Sequence, residues 1–133
     1  MLRSIGAVLG GFISMAIVVM IGTMAATAAL VPGGLKSMRN GAKAGTVSAR
    51  YLMVNLTVSL LAAILGGVVT TRIAITDQWA HTIALAIFVL IMSAGSARQS
   101  GGAPNGQPAW YARAIAAIGV GGVLIGGLIG TPR

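Results

Sequence analysis

Residues 51–71 read YLMVNLTVSLLAAILGGVVTT, an apolar stretch without a charged side chain. An α-helix rises about 1.5 Å per residue, so about 20 apolar residues cross the roughly 30 Å hydrocarbon core of a bilayer. Three more apolar stretches are long enough to cross, at residues 4–31, 79–97 and 110–130. The sequence therefore predicts an all-α polytopic membrane protein, in which four transmembrane helices form one compact bundle and residues 1–133 form a single domain.

The composition indicates the same environment. Hydrophobic residues make up 56% of the chain and charged residues 8%. In water such a chain would expose large apolar patches. Nine Lys and Arg face a single acid, Asp77, for a formal charge of +8. Most of the cations lie between the apolar stretches or near their ends, where each gains about 1 kcal/mol from anionic lipid. We therefore expect lipid headgroups or an acidic partner surface as the counter-charge, and no nucleic acid.

The distribution of cations predicts an orientation. With four spans both chain ends lie on one side of the membrane, and cytoplasmic segments carry the excess of Lys and Arg. The side of the chain ends has Arg3, Arg72 and Arg133. The other side has six cations, Lys36, Arg39, Lys43, Arg50, Arg98 and Arg113. We expect a bacterial inner membrane protein whose first and third loops are cytoplasmic and whose termini are periplasmic.

The first loop, residues 32–50, is the most basic segment. Lys36, Arg39 and Lys43 recur at helical spacing, and Arg50 precedes the second span. These four residues are predicted to contact lipid headgroups or a partner. The segment forms either a short interfacial helix or, because of its glycines, a flexible connector.

Aromatic residues mark the starts of three spans. Their rings favour the headgroup region, where an apolar body and a polar edge are both accommodated. We therefore predict four interfacial anchors, Tyr51, Trp79, Trp110 and Tyr111.

Small residues recur at every fourth position of three spans. Helices in lipid associate by close packing, which small residues permit. The predicted helix-packing residues are Gly6, Gly10, Ser14 and Gly22 in the first span, Asn55, Ser59, Ala63 and Gly67 in the second, and Gly122, Gly126 and Gly130 in the fourth. Twenty glycines in a mostly helical chain require packing to compensate for their cost. We expect partners inside the bundle and also outside it, either other membrane-protein subunits or further copies of the chain.

Asn55 is the most polar residue within the predicted membrane core. A buried amide is costly unless it forms hydrogen bonds. Two interpretations follow: a structural hydrogen bond between helices, or a contribution to a pathway lined by Asn55, Ser59 and Thr71.

Residue types for catalysis are scarce. The chain has no cysteine, and Asp77 and His81 are its only acid and only histidine. Thr76 or Asp77 is placed to cap the third helix. A lone histidine on a membrane helix can ligate a haem or chlorophyll, but the neighbours of His81 add nothing to that possibility. We therefore expect no enzyme activity, no metal site and no cofactor.

Two families of small four-span proteins provide a comparison. Small multidrug-resistance transporters have a similar length, but they depend on a carboxylate in the first helix, and residues 4–31 contain none. Residues 54–61, with Asn55 and Ser59, resemble the polar stretch of the second helix in double-barrelled fluoride channels. Residues 88–93 lack the broken Thr/Ser/Phe-rich segment of the third helix in those channels.

The sequence thus predicts a noncatalytic accessory or structural subunit of a larger bacterial membrane complex. A respiratory or photosynthetic assembly is the expected host. The alternative is a small oligomeric channel or transporter that uses the stripe of Asn55, Ser59 and Thr71 as its pathway.

Overall fold

A computed structural model of the chain describes residues 2–31, 33–34, 36, 48–74, 76–99 and 109–131. The helices are α1 (Leu2–Leu30), α2 (Ala49–Ile73), α3 (Gln78–Gln99) and α4 (Ala109–Gly130). Each is long and apolar enough to cross a membrane, and these ranges contain no strand. The predicted bundle of four transmembrane helices is confirmed, and each helix ends within two residues of its predicted limit. The chain is a small multi-pass membrane protein.

Helix α2 occupies the centre of the bundle. It packs extensively against α1 on one side and α4 on the other, and in the described part of the chain no Cα atoms of α1 and α4 lie within 8 Å of each other. Helix α3 packs mainly on α4 and also contacts α1 and α2. Successive spans run in opposite directions, so α1 and α3 start at one end of the bundle and α2 and α4 at the other.

Glycines follow the end of α1, and polar residues precede α2 and α3. Gly33 and Gly34, with φ of 81° and 52°, follow α1. Ser48 caps α2, where its hydroxyl accepts a hydrogen bond from the backbone N–H of Tyr51 at 3.3 Å. Asp77 precedes α3 with φ of 49°, outside the extended region that capping residues usually adopt. Its carbonyl accepts from the backbone N–H of His81 at 3.2 Å.

The apolar core is small and lies between α2, α3 and α4. Its buried members are Ala63, Leu85, Ala86, Val89 and Val123. Phe12 of α1 closes it from one side, with its ring edge-on to that of Phe88 at 4.9 Å between centroids. With so little apolar volume inside, close backbone contact must supply much of the packing.

Most buried serine and threonine hydroxyl groups are satisfied within their own helices. Ser59 donates to the carbonyl of Asn55 at 2.8 Å, Thr70 to that of Gly66 at 2.9 Å, and Thr82 to that of Gln78 at 2.9 Å. This bond to the preceding turn removes the cost of a hydroxyl away from water. Among the side chains described, no buried nitrogen or oxygen lacks a hydrogen-bond partner.

Candidate functional site

Helices α2 and α4 are in close backbone contact at the α2–α4 crossing, which we define by Ala63, Gly67, Gly122, Gly126 and Gly130. At Gly67 an added Cβ would collide with the carbonyl oxygen of Val123 and stand 3.0 Å from Cα of Gly126. At Gly126 it would collide with the carbonyl oxygen of Ile64. Real Cβ atoms do not approach backbone this closely, so both positions require glycine.

The remaining α4 glycines extend this contact along the helix. A Cβ on Gly122 would lie 2.6 Å from Cβ of Ala63, and one on Gly130 would collide with the hydroxyl of Thr71. A Cβ on Gly127, on the adjacent face of α4, would collide with the side chain of Thr82 of α3. The small residues predicted in the second and fourth spans thus face each other.

The α1 residues predicted for packing have different environments. Gly10 faces Ile73, and Gly22 faces Val58. Ser14 donates its hydroxyl to the carbonyl of Gly10 at 2.8 Å. Gly6 is exposed, and nothing lies within 4 Å of the place where its Cβ would stand. Among the residues described, none therefore packs closely against Gly6.

The closest approach of α1 to α2 is at Gly11, which the sequence interpretation did not single out. A Cβ on Gly11 would collide with the hydroxyl of Thr70 and lie 2.7 Å from the carbonyl oxygen of Gly66. Ala7, four residues earlier, is fully buried. The buried stripe of α1 is thus displaced by one residue from Gly6 and Gly10. In the sequence, the adjacent glycines Gly10 and Gly11 were the feature that could have indicated this close approach.

A polar network joins three helices near the ends at which α2 and α4 begin. We define it by Thr23, Asn55 and Tyr111. The Thr23 hydroxyl donates to Asn55 Oδ1 at 2.9 Å, and Asn55 Nδ2 donates to the Tyr111 hydroxyl. Beside it, the hydroxyls of Thr27 and Tyr51 lie 3.4 Å apart. Both functional groups of the Asn55 side chain are therefore used within the bundle.

The four predicted anchors divide into two pairs. Trp79 and Trp110 are exposed, at 44% and 53%, as expected for rings in the headgroup region. Tyr51 and Tyr111 are instead buried, at 7% and 2%. They lie in one cluster with Ala26 and Leu52. Polar partners inside the bundle, Thr27 and Asn55, replace the interfacial water that a phenol otherwise needs.

Of the four residues predicted to contact lipid headgroups or a partner, the structure describes two. Lys36 and Arg50 are exposed, whereas Arg39 and Lys43 lie outside the described residues. The same holds for most of the basic loop and its expected interfacial helix. Arg113 near the start of α4 is also exposed. These cations have almost no acidic partners available, because Asp77 is the only acid in the sequence.

Asp77 and His81 do not pair through their charged groups. His81 Nδ1 lies 2.9 Å from the backbone carbonyl oxygen of Asp77. In the described ranges, no group of three His, Cys, Asp or Glu residues could hold a metal ion.

Comparison with protein families, curated proteins and solved structures gives no match for this chain. Functional inference therefore rests on the contacts and charges of its own residues.

Proposed function

We propose that this chain is a noncatalytic packing subunit of a larger bacterial membrane assembly. The observation that carries the proposal is the contrast between the inside and the outside of the bundle. Inside, every buried side-chain nitrogen and oxygen of the described residues has a hydrogen-bond partner. Outside, the helices present apolar side chains, interrupted by glycines that no part of the described chain covers.

Two outward glycines support contact with a further helix. Gly6 of α1 and Gly95 of α3 are exposed, and at both nothing lies within 4 Å of a Cβ position. Glycine lowers helix stability by about 1 kcal/mol relative to alanine. A partner helix that approaches closely at these positions would compensate for that cost.

The charge balance also favours external contacts. Nine Lys and Arg residues have one acid in the sequence to pair with. The anions that neutralise exposed Lys36, Arg50 and Arg113 must therefore come mostly from lipid headgroups or from acidic residues of a partner. Attraction of this kind would orient the chain at the surface of an assembly.

The rival interpretation, a channel lined by Asn55, Ser59 and Thr71, has less support. Ser59 and Thr71 are buried, at 6% and 1%. Their hydroxyls donate to backbone carbonyls of α2. The Asn55 amide is bonded to Thr23 and Tyr111. A conducting pathway along this stripe would have to separate α2 from the helices that bury these side chains.

Co-purification tests the proposal. We expect the tagged chain, solubilised gently from its native membrane, to retain partner proteins, and Gly6→Leu to lose most of them. No described atom lies within 4 Å of a Cβ at this exposed position, so we expect the melting temperature of the purified variant to stay close to that of the wild type. Ala117→Leu, on the exposed face of α4, is the control and should retain the partners. A wild-type chain that purifies alone as a monomer would contradict the proposal.

Flux through liposomes tests the rival. We expect purified protein to give no ion or solute movement above that of protein-free vesicles, because Ser59 and Thr71 are buried between helices. Saturable flux that Asn55→Leu abolishes would contradict the packing role and establish the channel.

A further inference from the structure

One face of α4 carries an exposed tryptophan and an exposed arginine, followed by small and apolar residues. Five residues on it follow each other at alternating spacings of three and four: Trp110, Arg113, Ala117, Val120 and Leu124. A helix turns about 100° per residue, so all five fall within roughly 80° of one another around its axis. They therefore form one straight line along α4, which we call the α4 strip.

The positive charge of the α4 strip has no acidic partner nearby in the sequence. Arg113 is exposed near the start of α4. Asp77, the only acidic residue, precedes α3, which starts at the opposite end of the bundle. Helix α3 has 22 residues, so roughly 33 Å of helix separates the two levels. Salt screens exposed charges over such a distance, and the counter-charge of Arg113 therefore comes from outside these 133 residues.

Trp110 indicates that this charge lies at the level of the lipid headgroups. Its ring is 53% exposed, and exposed tryptophan favours the membrane interface. The ring stands edge-on to that of Tyr111, with 6.0 Å between centroids. Tyr111 is itself buried and bonded to Asn55, so the indole packs on a fixed neighbour. Helical side chains tilt towards the helix N-terminus, which brings Arg113 towards Trp110, one turn earlier.

A groove between α3 and α4 continues the α4 strip into the membrane. It has a volume of about 250 Å³, and only apolar residues line it: Ile83, Ala86, Ile87, Leu90, Val120 and Leu124. Val120 and Leu124 follow Arg113 by roughly 10 and 16 Å along the helix axis, at about 1.5 Å per residue. Ala117, small and exposed, lies between the charge and the groove. A hydrocarbon chain attached to a headgroup at Arg113 can therefore extend into the groove.

We propose that the α4 strip binds one anionic phospholipid, with its phosphate at Arg113 and Trp110 and an acyl chain in the α3–α4 groove. A guanidinium and an indole N–H both donate hydrogen bonds, and arginine pairs strongly with phosphate. An apolar groove that opens towards the bilayer suits a hydrocarbon chain and gives a polar solute no partner. Charge above and hydrocarbon below are joined in one molecule only in a lipid. This inference is independent of the packing role.

The fluorescence of Trp110 provides the measurement. In Trp79→Phe, Trp110 is the only tryptophan. The probes are phosphatidylglycerol and phosphatidylcholine with brominated acyl chains, which quench nearby indoles, each at the same mole fraction in vesicles of phosphatidylcholine. We expect brominated phosphatidylglycerol to bind at Trp110 about fivefold more strongly than brominated phosphatidylcholine, the equivalent of about 1 kcal/mol for one cation near anionic lipid.

Further variants in this background separate a bound lipid from general attraction to a basic surface. Arg113→Gln should abolish the preference for phosphatidylglycerol. Arg50→Gln removes another exposed charge at the same end of the bundle and should keep most of the preference. Ala117→Leu leaves every charge in place but obstructs the path to the groove, and should lose most of the preference. Ala16→Leu, at an exposed position of α1, should keep it.

Four results would overturn the inference. One is equal quenching by the two brominated lipids. Another is an equal loss of preference in Arg113→Gln and Arg50→Gln, which reports general attraction. The third is suppression of the preference by inorganic phosphate but not by chloride at the same ionic strength, which reports a site for the free ion. The last is an unchanged preference in Arg113→Gln together with loss of co-purifying proteins, since an acidic partner would then bind this arginine.

Discussion

Gly126→Ala is expected to lower the free energy of unfolding by about 3 kcal/mol or more, the largest effect of any single methyl group added to this chain. The new Cβ would collide with the carbonyl oxygen of Ile64 and stand 3.0 Å from Cα of Gly67. All these neighbours are backbone atoms, which cannot rotate away as a side chain does. Helices α2 and α4 would have to separate, and overpacking of this kind costs about 1–3 kcal/mol or more.

Gly121→Ala is the matched control on the same helix. Nothing lies within 4 Å of a Cβ at Gly121, so this change should leave stability unchanged or raise it by up to about 1 kcal/mol, because alanine favours a helix more than glycine does. Unfolding of both variants in mixed micelles, titrated with a denaturing detergent and followed by circular dichroism, measures the difference. Equal stability of the two variants would show that α2 and α4 do not cross at Gly126.

Asn55→Ala is expected to lower the free energy of unfolding by about 2 kcal/mol. It removes the hydrogen bonds that join α2 to Thr23 of α1 and to Tyr111 of α4. Hydrogen bonds between membrane helices contribute about 0.6 kcal/mol on average and up to about 1.7. The Tyr111 side chain, only 2% exposed, would also lose its partner, which adds a desolvation cost.

Two further variants identify the origin of this loss. Thr57→Ala, at an exposed hydroxyl that bonds only to Met53 of its own helix, should leave stability within about 0.5 kcal/mol of the wild type. Combining Asn55→Ala with Tyr111→Phe should cost less than the sum of the single changes, because both remove the same bond. If the losses of unfolding free energy of the two single variants add up to that of the double variant, Asn55 and Tyr111 do not interact.

The sequence was sufficient to predict the four helices and the stripes of small residues on α2 and α4, although it did not predict that these two stripes face each other. It did not predict the stripe of α1, for a geometric reason. A helix turns about 100° per residue, so a series with a spacing of four drifts about 40° at each step. From Gly6 to Gly22 there are four such steps, so the drift accumulates to about 160° and places the two glycines on nearly opposite faces of the helix. Gly6 is consequently exposed while Gly22 contacts Val58.

The two tyrosines illustrate a second limit. The sequence around a tyrosine at the start of a span is the same whether its hydroxyl bonds to water or to another part of the protein. The partners of Tyr51 and Tyr111 are Thr27 and Asn55, which lie 24 and 56 residues away in the chain. Only the packing of three helices brings these groups together, so no local pattern could identify them. The α3–α4 groove likewise depends on side chains that are distant in sequence.

The central place of α2 has a consequence for biosynthesis. Its glycine face is completed by α4, and Gly130 is made 57 residues after Ile73. At about 5–20 residues per second, the ribosome needs roughly 3 to 11 seconds for that stretch. Throughout this interval the α1–α2 hairpin has an uncovered face, held by lipid or by the insertion machinery. Release of the nascent chain before α4 emerges would therefore leave a half-built protein whose open face can pair with that of another copy.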